Sequence, residues 1–372
     1  MQLLKFYDNL RPDEWKYYEA LNLQEKDDVI SCFNATHCEK FIKSNFACGA
    51  KEKAFDLSFF ENYLKNGKHE HTVSLYFLGC CFKEIVNTSL QNYLNKNISK
   101  VEEWYDFRYT WYLTCLYHDI ASSIEQTSWS PGCSSDLDFY LGKENVQFNV
   151  FEHNWNNIFN KPYTYAEKLV KNYFKYRVEY WHSIDHGIIA GFVLYDRLIK
   201  NYNDNWETYL SENRNTASSK ENFDYNHLKW RKEHLSHFAI VADAIIAHNI
   251  WLSGTDDDKI KLYKQFGLDP LISHPDNSGR LTLESNPLIF FLDLLDTIEP
   301  VKYFTKHSPK KVLESVEISK QDNRFVIHVP RNLPEYNGWH DKVMSVKDWL
   351  DVATSTNKND ENALEISITV SF

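Results

Sequence analysis

The chain has 372 residues, of which 43% are hydrophobic and 16% aromatic, and its 11 glycines and 10 prolines are too few for a disordered protein. Acidic residues (52) outnumber basic ones (41), and the formal charge of −11 argues against non-specific binding to nucleic acid or anionic membranes. We find no signal-peptide pattern, no apolar run long enough to span a membrane and no CxxC spacing among seven cysteines, so we expect a cytoplasmic protein with reduced thiols.

The first half of the chain predicts two helices that carry polar residues in apolar surroundings. In the segment 69–94 (HEHTVSLYFLGCCFKEIVNTSLQNYL), apolar residues recur at steps of three and four, which predicts a helix with His71 at the start of its apolar face. Val101–Ile124 predicts the next helix, and it carries the adjacent pair His118–Asp119. A buried histidine and carboxylate need a partner, and a divalent metal would supply one. The polar segment that follows, 126–142, predicts a loop.

The middle of the chain predicts two further helices of this kind. His182, Asp185 and His186 occupy positions i, i+3 and i+4, which places them on one face of a predicted helix. Gly187 and Gly191 would let a neighbouring helix approach closely.

The next two segments complete the predicted helical part of the chain. Residues 201–222 are rich in polar side chains and predict an exposed insertion, and residues 227–252 predict one long helix with His248 near its end. Ser285–Asn286–Pro287 predicts the start of another helix, PLIFFLDLLDTIEP, in which Asp293 and Asp296 follow an apolar run.

Beyond residue 300 the pattern changes from helical to alternating. Residues 312–318, 324–329 and 363–372 alternate between apolar and polar side chains, which predicts strands, and 346–353 predicts a short helix. We therefore expect a mainly α protein with a small α+β appendage, divided into an N-terminal helical extension (1–54), an all-α metal-binding domain (55–300) and a C-terminal subdomain (301–372).

Candidate ligands come from the ends of five predicted apolar helices: His71, His118–Asp119, His186, His248 and Asp293. A single buried histidine is more often a core residue than a ligand, but an ordered set of this size favours a metal site. Imidazole and carboxylate without thiolate suit Mn, Fe, Ni, Co, Mg or Zn.

The ordered series H…HD…H…H…D resembles the HD superfamily of metal-dependent phosphohydrolases. The segments that carry the resemblance are EHTVSLYFLG, LYHDI, DHGIIAG, AIIAHNI and FLDLLD, which together span about residues 65–300. The chain departs from the family after the doublet, where Ile120–Ala121–Ser122–Ser123 replaces the usual glycine and lysine, and at His248–Asn249, where two histidines are common.

The resemblance implies an HD-type helical bundle with one or two metal ions. His71, His118, Asp119 and Asp293 would hold the first ion, and Asp119 would bridge to a second. The ligands of the second ion would be His186 and His248; otherwise one ion binds, and these histidines contact the phosphate. His118 and Asp119 would thus be both ligands and catalytic residues.

Several other polar residues have two interpretations. Asp185 either assists leaving-group protonation or orients a ligand histidine, although a helix-surface role fits the sequence equally well. Arg108 and Arg197 are candidates for phosphate binding because guanidinium pairs bidentately with phosphate, but surface arginines are common. Asp296 is expected to be structural, and Glu125 is expected to lie on the surface.

Three functions are compatible with these observations. The leading hypothesis is a phosphohydrolase that acts on a small phosphorylated or nucleotide substrate. A di-iron oxygenase with the same ligand order is the second, and a catalytically silent sensor or partner-binding protein is the third. The sequence indicates neither the substrate nor the oligomeric state.

Overall fold

The computed structural model describes Gln2, Lys5 and most of the chain from residue 68 onward. The described ranges are 68–97, 107–122, 134–165, 167–213, 219–225, 228–253, 257–273, 279–321, 324–330, 333, 336–357 and 363–370. The helices predicted in the N-terminal extension, residues 1–54, therefore lie outside the described residues except for Gln2 and Lys5.

The described part of the chain is mostly helical, in agreement with the predicted fold class. Its helices are α1 (Lys68–Cys81), α2 (Lys83–Asn97), α3 (Phe107–Tyr117), α4 (Leu137–Lys143), α5 (Phe148–Phe159), α6 (Glu167–Trp181), α7 (His186–Glu212), α8 (Glu233–Ala247), α9 (Asp257–Gln265), α10 (Pro287–Ile298), α11 (Pro309–Ser315) and α12 (Tyr336–Ser345). None of these described helices is both long and apolar enough to cross a lipid bilayer.

The strands form one four-stranded sheet and two small pairs. β1 (Asn222–Tyr225) and β2 (Leu228–Arg231) are an antiparallel pair, and β3 (Leu252–Ser253) runs parallel to β4 (Ile272–Ser273). The C-terminal strands are β5 (Glu317–Gln321), β6 (Arg324–Pro330), β7 (Val352–Asn357) and β8 (Ala363–Val370). They form an antiparallel sheet in the order β5–β6–β8–β7, so the predicted C-terminal α+β region is confirmed.

Helices α7 and α8 pack closely because α7 has glycine where the two helices meet. A Cβ atom on Gly187 would lie 2.6 Å from Cε1 of His248, and one on Gly191 would lie 2.8 Å from the carbonyl oxygen of Ala242. Any larger side chain at either position would force the helices apart. The close approach predicted for the two glycines is therefore confirmed, and it brings the start of α7 next to the end of α8.

The C-terminal sheet packs against the helical body. The rings of Phe82 and Phe325 are 4.0 Å apart, and the indole of Trp339 donates a hydrogen bond of 3.2 Å to the carbonyl oxygen of Ile298 at the end of α10. Apolar side chains from both regions belong to one buried cluster.

Several local predictions were wrong. Residues 312–318 were predicted to form a strand, but residues 312–315 belong to α11 and β5 begins only at Glu317. The predicted loop 126–142 contains the start of α4 at Leu137. Asp136 caps this helix, because its side chain accepts a hydrogen bond from the backbone N–H of Asp138. The predicted insertion 201–222 contains the second half of α7, which continues to Glu212. The predicted long helix 227–252 contains β2 before α8 begins, because that segment pairs with β1.

Candidate metal centre

Three of the predicted ligands lie together in the interior. His71 is in the first turns of α1, and His118 and Asp119 directly follow the last residue of α3. All three are buried, and one potential ligand atom from each lies within 4.8 Å of the others. This group can hold a metal ion.

His118 has the tautomer that a metal ligand needs. Its Nδ1 lies 2.9 Å from the carbonyl oxygen of Cys115, and because a carbonyl only accepts, Nδ1 must donate. The lone pair is therefore on Nε2, which is buried without a hydrogen-bond partner, 3.7 Å from Oδ2 of Asp119 and 3.5 Å from Oδ1 of Asp296. A backbone carbonyl that fixes the far nitrogen is a common arrangement for metal-bound histidine.

The ring of His71 is hydrogen-bonded to the carboxylate of Glu299, a residue that the sequence analysis did not predict for the site. Its Nδ1 lies 2.8 Å from Oε2 of Glu299, which is fully buried. The other oxygen of Glu299 accepts a hydrogen bond of 2.6 Å from the hydroxyl of Ser74, and the backbone N–H groups of Val301 and Lys302 also donate to this carboxylate. Glu299 thereby fixes the ring of His71. The sequence feature that could have indicated Glu299 is its position as an acidic residue at the end of the apolar segment 287–300.

Asp296 faces the same histidines. Its Oδ1 lies 2.9 Å from Nε2 of His71, and its Oδ2 accepts a hydrogen bond of 2.6 Å from Nζ of Lys302. Burial raises the pKa of Asp296, but the charge of Lys302 and the neighbouring imidazoles of His118 and His71 lower it by more, so this carboxyl group is ionised. For His71 the effects have the opposite sign. Burial lowers its pKa, but the hydrogen bonds to Asp296 and Glu299 raise it above the usual value.

Asp293, one helical turn earlier, has a different environment. It is buried, and neither of its carboxyl oxygens has a hydrogen-bond partner. Burial raises its pKa well above the usual value, and the negative charge of Asp296 raises it further, so the surroundings disfavour the ionised form of Asp293. The contacts with His71 and His118 therefore belong to Asp296, which was expected to be structural, and not to Asp293, which was expected to be the ligand.

The other two histidines lie on the far side of Asp119. Oδ1 of Asp119 is 3.1 Å from Nε2 of His186, the first residue of α7. The ring of His248, at the end of α8, is centred 5.4 Å from that of His186 and 5.8 Å from that of His118. Asp119 thus lies between His118 and His186, as a bridging ligand would.

His248 is neutral, and both of its ring nitrogens have hydrogen-bond partners. Burial lowers its pKa to about 3, and nearby His186 and His118 contribute to the shift. Its Nδ1 donates to the carbonyl oxygen of Ile245 at 2.7 Å, and its Nε2 accepts from the amide of Asn249 at 2.7 Å. A cation on Nε2 would have to displace that amide.

Asp185 caps a helix. Its Oδ1 accepts a hydrogen bond of 2.9 Å from the backbone N–H of Ile188, and its Oδ2 lies 3.8 Å from Nε of Arg177. His182 lies between α6 and α7 with a φ of 53°, which breaks the helix there. The prediction that His182, Asp185 and His186 share one helical face was therefore wrong. The cap instead fixes the helix start that carries His186.

Arg197, one of the two predicted phosphate-binding arginines, is not part of this cluster. Arg197 donates hydrogen bonds to Oδ2 of Asp196 at 2.8 Å and to the carbonyl oxygen of Glu144 at 3.0 Å. Arg197 follows His186 by three helical turns, a distance of roughly 16 Å along α7. Its bond to Glu144 instead connects α7 with the end of α4. The side chain of Arg108 and the whole of Glu125 lie outside the described residues.

The chain matches no protein-family model, and no curated protein or solved structure is significantly similar to it.

Proposed function

We propose that this protein is a metal-dependent phosphohydrolase of the HD type that cleaves a phosphate ester of a nucleotide or a related small molecule. The observation that carries this proposal is the buried group of His71, His118 and Asp119 with the ionised carboxylate of Asp296 beside it. These residues lie in α1, directly after α3 and in α10. Buried imidazoles and carboxylates are costly unless they are paired, and a cation bound among them would add such pairing.

The donor set fits a divalent cation. Two imidazoles and two carboxylates are ligands that Mn, Fe, Co, Ni and Zn accept. Nε2 of His118 is oriented by Cys115 and has no other hydrogen-bond partner. The position between Nε2 of His71 and Oδ1 of Asp296 would change from a shared proton to a shared cation, because a ligand imidazole must be deprotonated on that nitrogen. His186 would extend the set to a second cation across Asp119.

The roles of the protein groups follow from their positions. A divalent cation, when bound, supplies Lewis acidity and lowers the pKa of a bound water. Glu299 and the Cys115 carbonyl keep the histidines in one orientation. Lys302 holds Asp296 and places a positive charge at the edge of the cluster, which favours an anionic substrate.

Phosphate release tests the proposal. The protein, loaded in turn with Mn, Co, Ni or Mg, is assayed against a panel of nucleotides and simple phosphate esters. His118→Ala should abolish release and lower the metal content together, because the variant lacks a ligand. His153→Ala is the matched control: His153 is exposed on α5 and should be dispensable for both.

Two results would contradict the proposal. One is a fully metallated protein that releases no phosphate from any compound of the panel. The other is a protein isolated with two irons per chain that consumes oxygen with a small-molecule substrate, which would favour the oxygenase interpretation.

A further inference from the structure

Two histidines are held in the same way at the ends of two helices. His118 directly follows α3, and its Nδ1 donates to the carbonyl oxygen of Cys115 at 2.9 Å. His248 directly follows α8, and its Nδ1 donates to the carbonyl oxygen of Ile245 at 2.7 Å. Because a carbonyl only accepts, the lone pair of each ring is on Nε2. Both rings are buried, so both present the same buried nitrogen as a possible ligand of a cation.

The two Nε2 atoms differ in their hydrogen bonds. Nε2 of His118 has no hydrogen-bond partner within the described part of the chain. Nε2 of His248 accepts a hydrogen bond of 2.7 Å from the side-chain amide of Asn249. A lone pair that accepts this bond is not available to a cation at the same time. A cation can therefore bind His118 without displacing a protein group, but it can bind His248 only after the Asn249 amide has left.

The ring of His248 is fixed, so it cannot turn away from the amide. Its Nδ1 is bonded to the carbonyl oxygen of Ile245, and its edge packs against the backbone of α7. A Cβ atom on Gly187 would lie 2.6 Å from Cε1 of this ring and 2.8 Å from Nδ1. The partner that can move is therefore the amide of Asn249.

Asn249 combines a fixed backbone with an exposed side chain. Its carbonyl oxygen accepts a hydrogen bond of 2.7 Å from the hydroxyl of Tyr173, a buried residue of α6. The residue itself is exposed, so its amide can turn into solvent and bond to water without a change in the backbone. Exchange of one protein hydrogen bond for water changes an equilibrium constant by roughly 2- to 10-fold. The amide is thus a cover that a cation can displace at low cost.

The covered nitrogen belongs to the part of the site beyond Asp119. Oδ1 of Asp119 lies 3.1 Å from Nε2 of His186, and the ring centres of His186 and His248 are 5.4 Å apart. One carboxylate and two imidazoles are suitable ligands for a divalent cation. A cation between Asp119 and His186 would gain His248 as a third ligand only in competition with Asn249.

We propose that the side-chain amide of Asn249 is a competitive cap on the second cation position, so that the two positions fill in sequence as the cation concentration rises. The first cation binds to His71, His118, Asp119 and Asp296 and leaves the amide in place. The second cation displaces it. This inference rests on the proposed function and adds a means of regulating the same site, because the cation concentration sets whether one or two cations face the phosphate ester.

Titration of Mn into the metal-free protein tests the cap without an activity assay. Calorimetry of the wild type should resolve two binding steps per chain. Asn249→Ala should tighten the second step roughly 2- to 10-fold and leave the first unchanged, because His248 no longer gives up a hydrogen bond. Asn249→Asp should tighten it at least as much, since a carboxylate cannot donate to Nε2 and is itself a cation ligand. Electron paramagnetic resonance should show a spin-coupled Mn pair only in the second step.

A matched control removes the same kind of hydrogen bond elsewhere. The amide of Asn157 lies 3.0 Å from Nε2 of His153, and both residues are exposed on α5. Asn157→Ala should leave both binding steps unchanged. His248→Ala should retain the first step and weaken the second about tenfold or more, since loss of a ligand costs at least as much as loss of a group that supports one.

The outcomes distinguish the cap from the phosphohydrolase proposal. An unchanged second step in both Asn249 variants, or an equal change in both steps, would overturn the cap, and so would a single binding step in the wild type and in Asn249→Ala. Phosphate release by the same loaded wild type would then leave the hydrolase proposal intact. If the Asn249 variants tighten only the second step but no phosphate ester is cleaved, the hydrolase proposal fails and the cap stands. A chain that binds no Mn would overturn both.

Discussion

At the scale of single residues, the candidate metal centre is organised by the groups that hydrogen-bond to its candidate ligands. Glu299 contacts His71, and Lys302 donates to Asp296. Both supporting residues lie just after α10, so the end of one helix orients a candidate ligand of α1 and another of its own. Supporting groups of this kind commonly change metal affinity 10- to 100-fold when removed.

The two aspartates of α10 should differ sharply in mutants. We expect Asp296→Asn to reduce bound metal at least tenfold, because it removes an ionised ligand that contacts His71 and His118. Asp293→Asn should retain metal, because burial and the charge of Asp296 disfavour an ionised Asp293 carboxyl, and this carboxyl makes no hydrogen bond. Elemental analysis of the two purified variants, with titration of Mn into each, measures the difference. Metal loss in Asp293→Asn with retention in Asp296→Asn would return the ligand role to Asp293.

A second buried carboxyl group should make stability depend on pH. Burial raises the pKa of Asp243 on α8 to about 7, although a 2.9 Å hydrogen bond from the Tyr163 hydroxyl and the charge of Lys161 oppose the shift. In the unfolded chain its pKa is near 4. Between about pH 4 and 7 the folded state therefore binds more protons, and the contribution of Asp243 to the free energy of unfolding falls as pH rises, by up to about 1.4 kcal/mol per pH unit.

Urea unfolding of the wild type and Asp243→Asn from pH 4 to 8 checks this slope. The stability difference between the two proteins should change over that window and become constant above it. Tyr163→Phe should extend the window to higher pH, because the lost hydrogen bond favours the ionised form. A difference that is independent of pH would show that Asp243 is ionised in the folded protein.

At the scale of elements, the close packing of α7 and α8 brings the candidate ligands together. His186 is the first residue of α7 and His248 follows the last residue of α8, so any separation of these helices would separate the two rings. Gly187 and Gly191 permit the contact.

Gly191→Ala tests this packing away from the ligands themselves. The added methyl group would lie 2.6 Å from Cγ1 of Ile246 and 2.8 Å from the carbonyl oxygen of Ala242. We expect a loss of about 1–3 kcal/mol in the free energy of unfolding, measured by urea denaturation. The control is Gly142→Ala on α4, where a methyl group meets nothing within 4 Å and should be neutral or slightly stabilising. Equal effects of both changes would mean that the helix contact is not tight.

The sequence predicted these elements where apolar periodicity was strong, and failed where distant contacts decide. The start of α10 at Pro287 follows from the Ser–Asn–Pro signal. The break at His182 was missed because the spacing of His182 and His186 is also helical, and only the cap by Asp185 and the backbone of His182 interrupt it. β2 was missed because its pairing with β1 is not visible in a local pattern.

The same limit applies to the ligands. Asp293 and Asp296 are three residues apart and share a helical face, so periodicity does not distinguish them. Their neighbours do, because Asp296 is near Lys302 and His71 whereas Asp293 is not hydrogen-bonded. Glu299 was missed because its contact with His71 joins residues 228 positions apart.

At the scale of the whole molecule, the candidate metal centre connects segments that are far apart in the chain. The contact between His71 and Asp296 spans 225 positions, and the end of α10 also contacts the C-terminal region through Trp339. Helices and C-terminal sheet share one buried cluster. A cation bound to His71, His118, Asp119 and Asp296 would therefore stabilise the helices and the C-terminal sheet together, and not a local part of the chain.

Removal of metal should accordingly lower the stability of the entire chain. A ligand that binds only the folded state adds about 2.7 kcal/mol when its free concentration is a hundred times Kd, so EDTA should lower Tm and added Mn should restore it. Far-UV circular dichroism and tryptophan fluorescence should report one shared transition, because helices and sheet unfold together. His118→Ala should unfold at the same Tm with and without Mn. A Tm shift that persists in His118→Ala would place the stabilising cation elsewhere, and separate transitions for the two probes would mean that the sheet unfolds independently of the helices that carry the ligands.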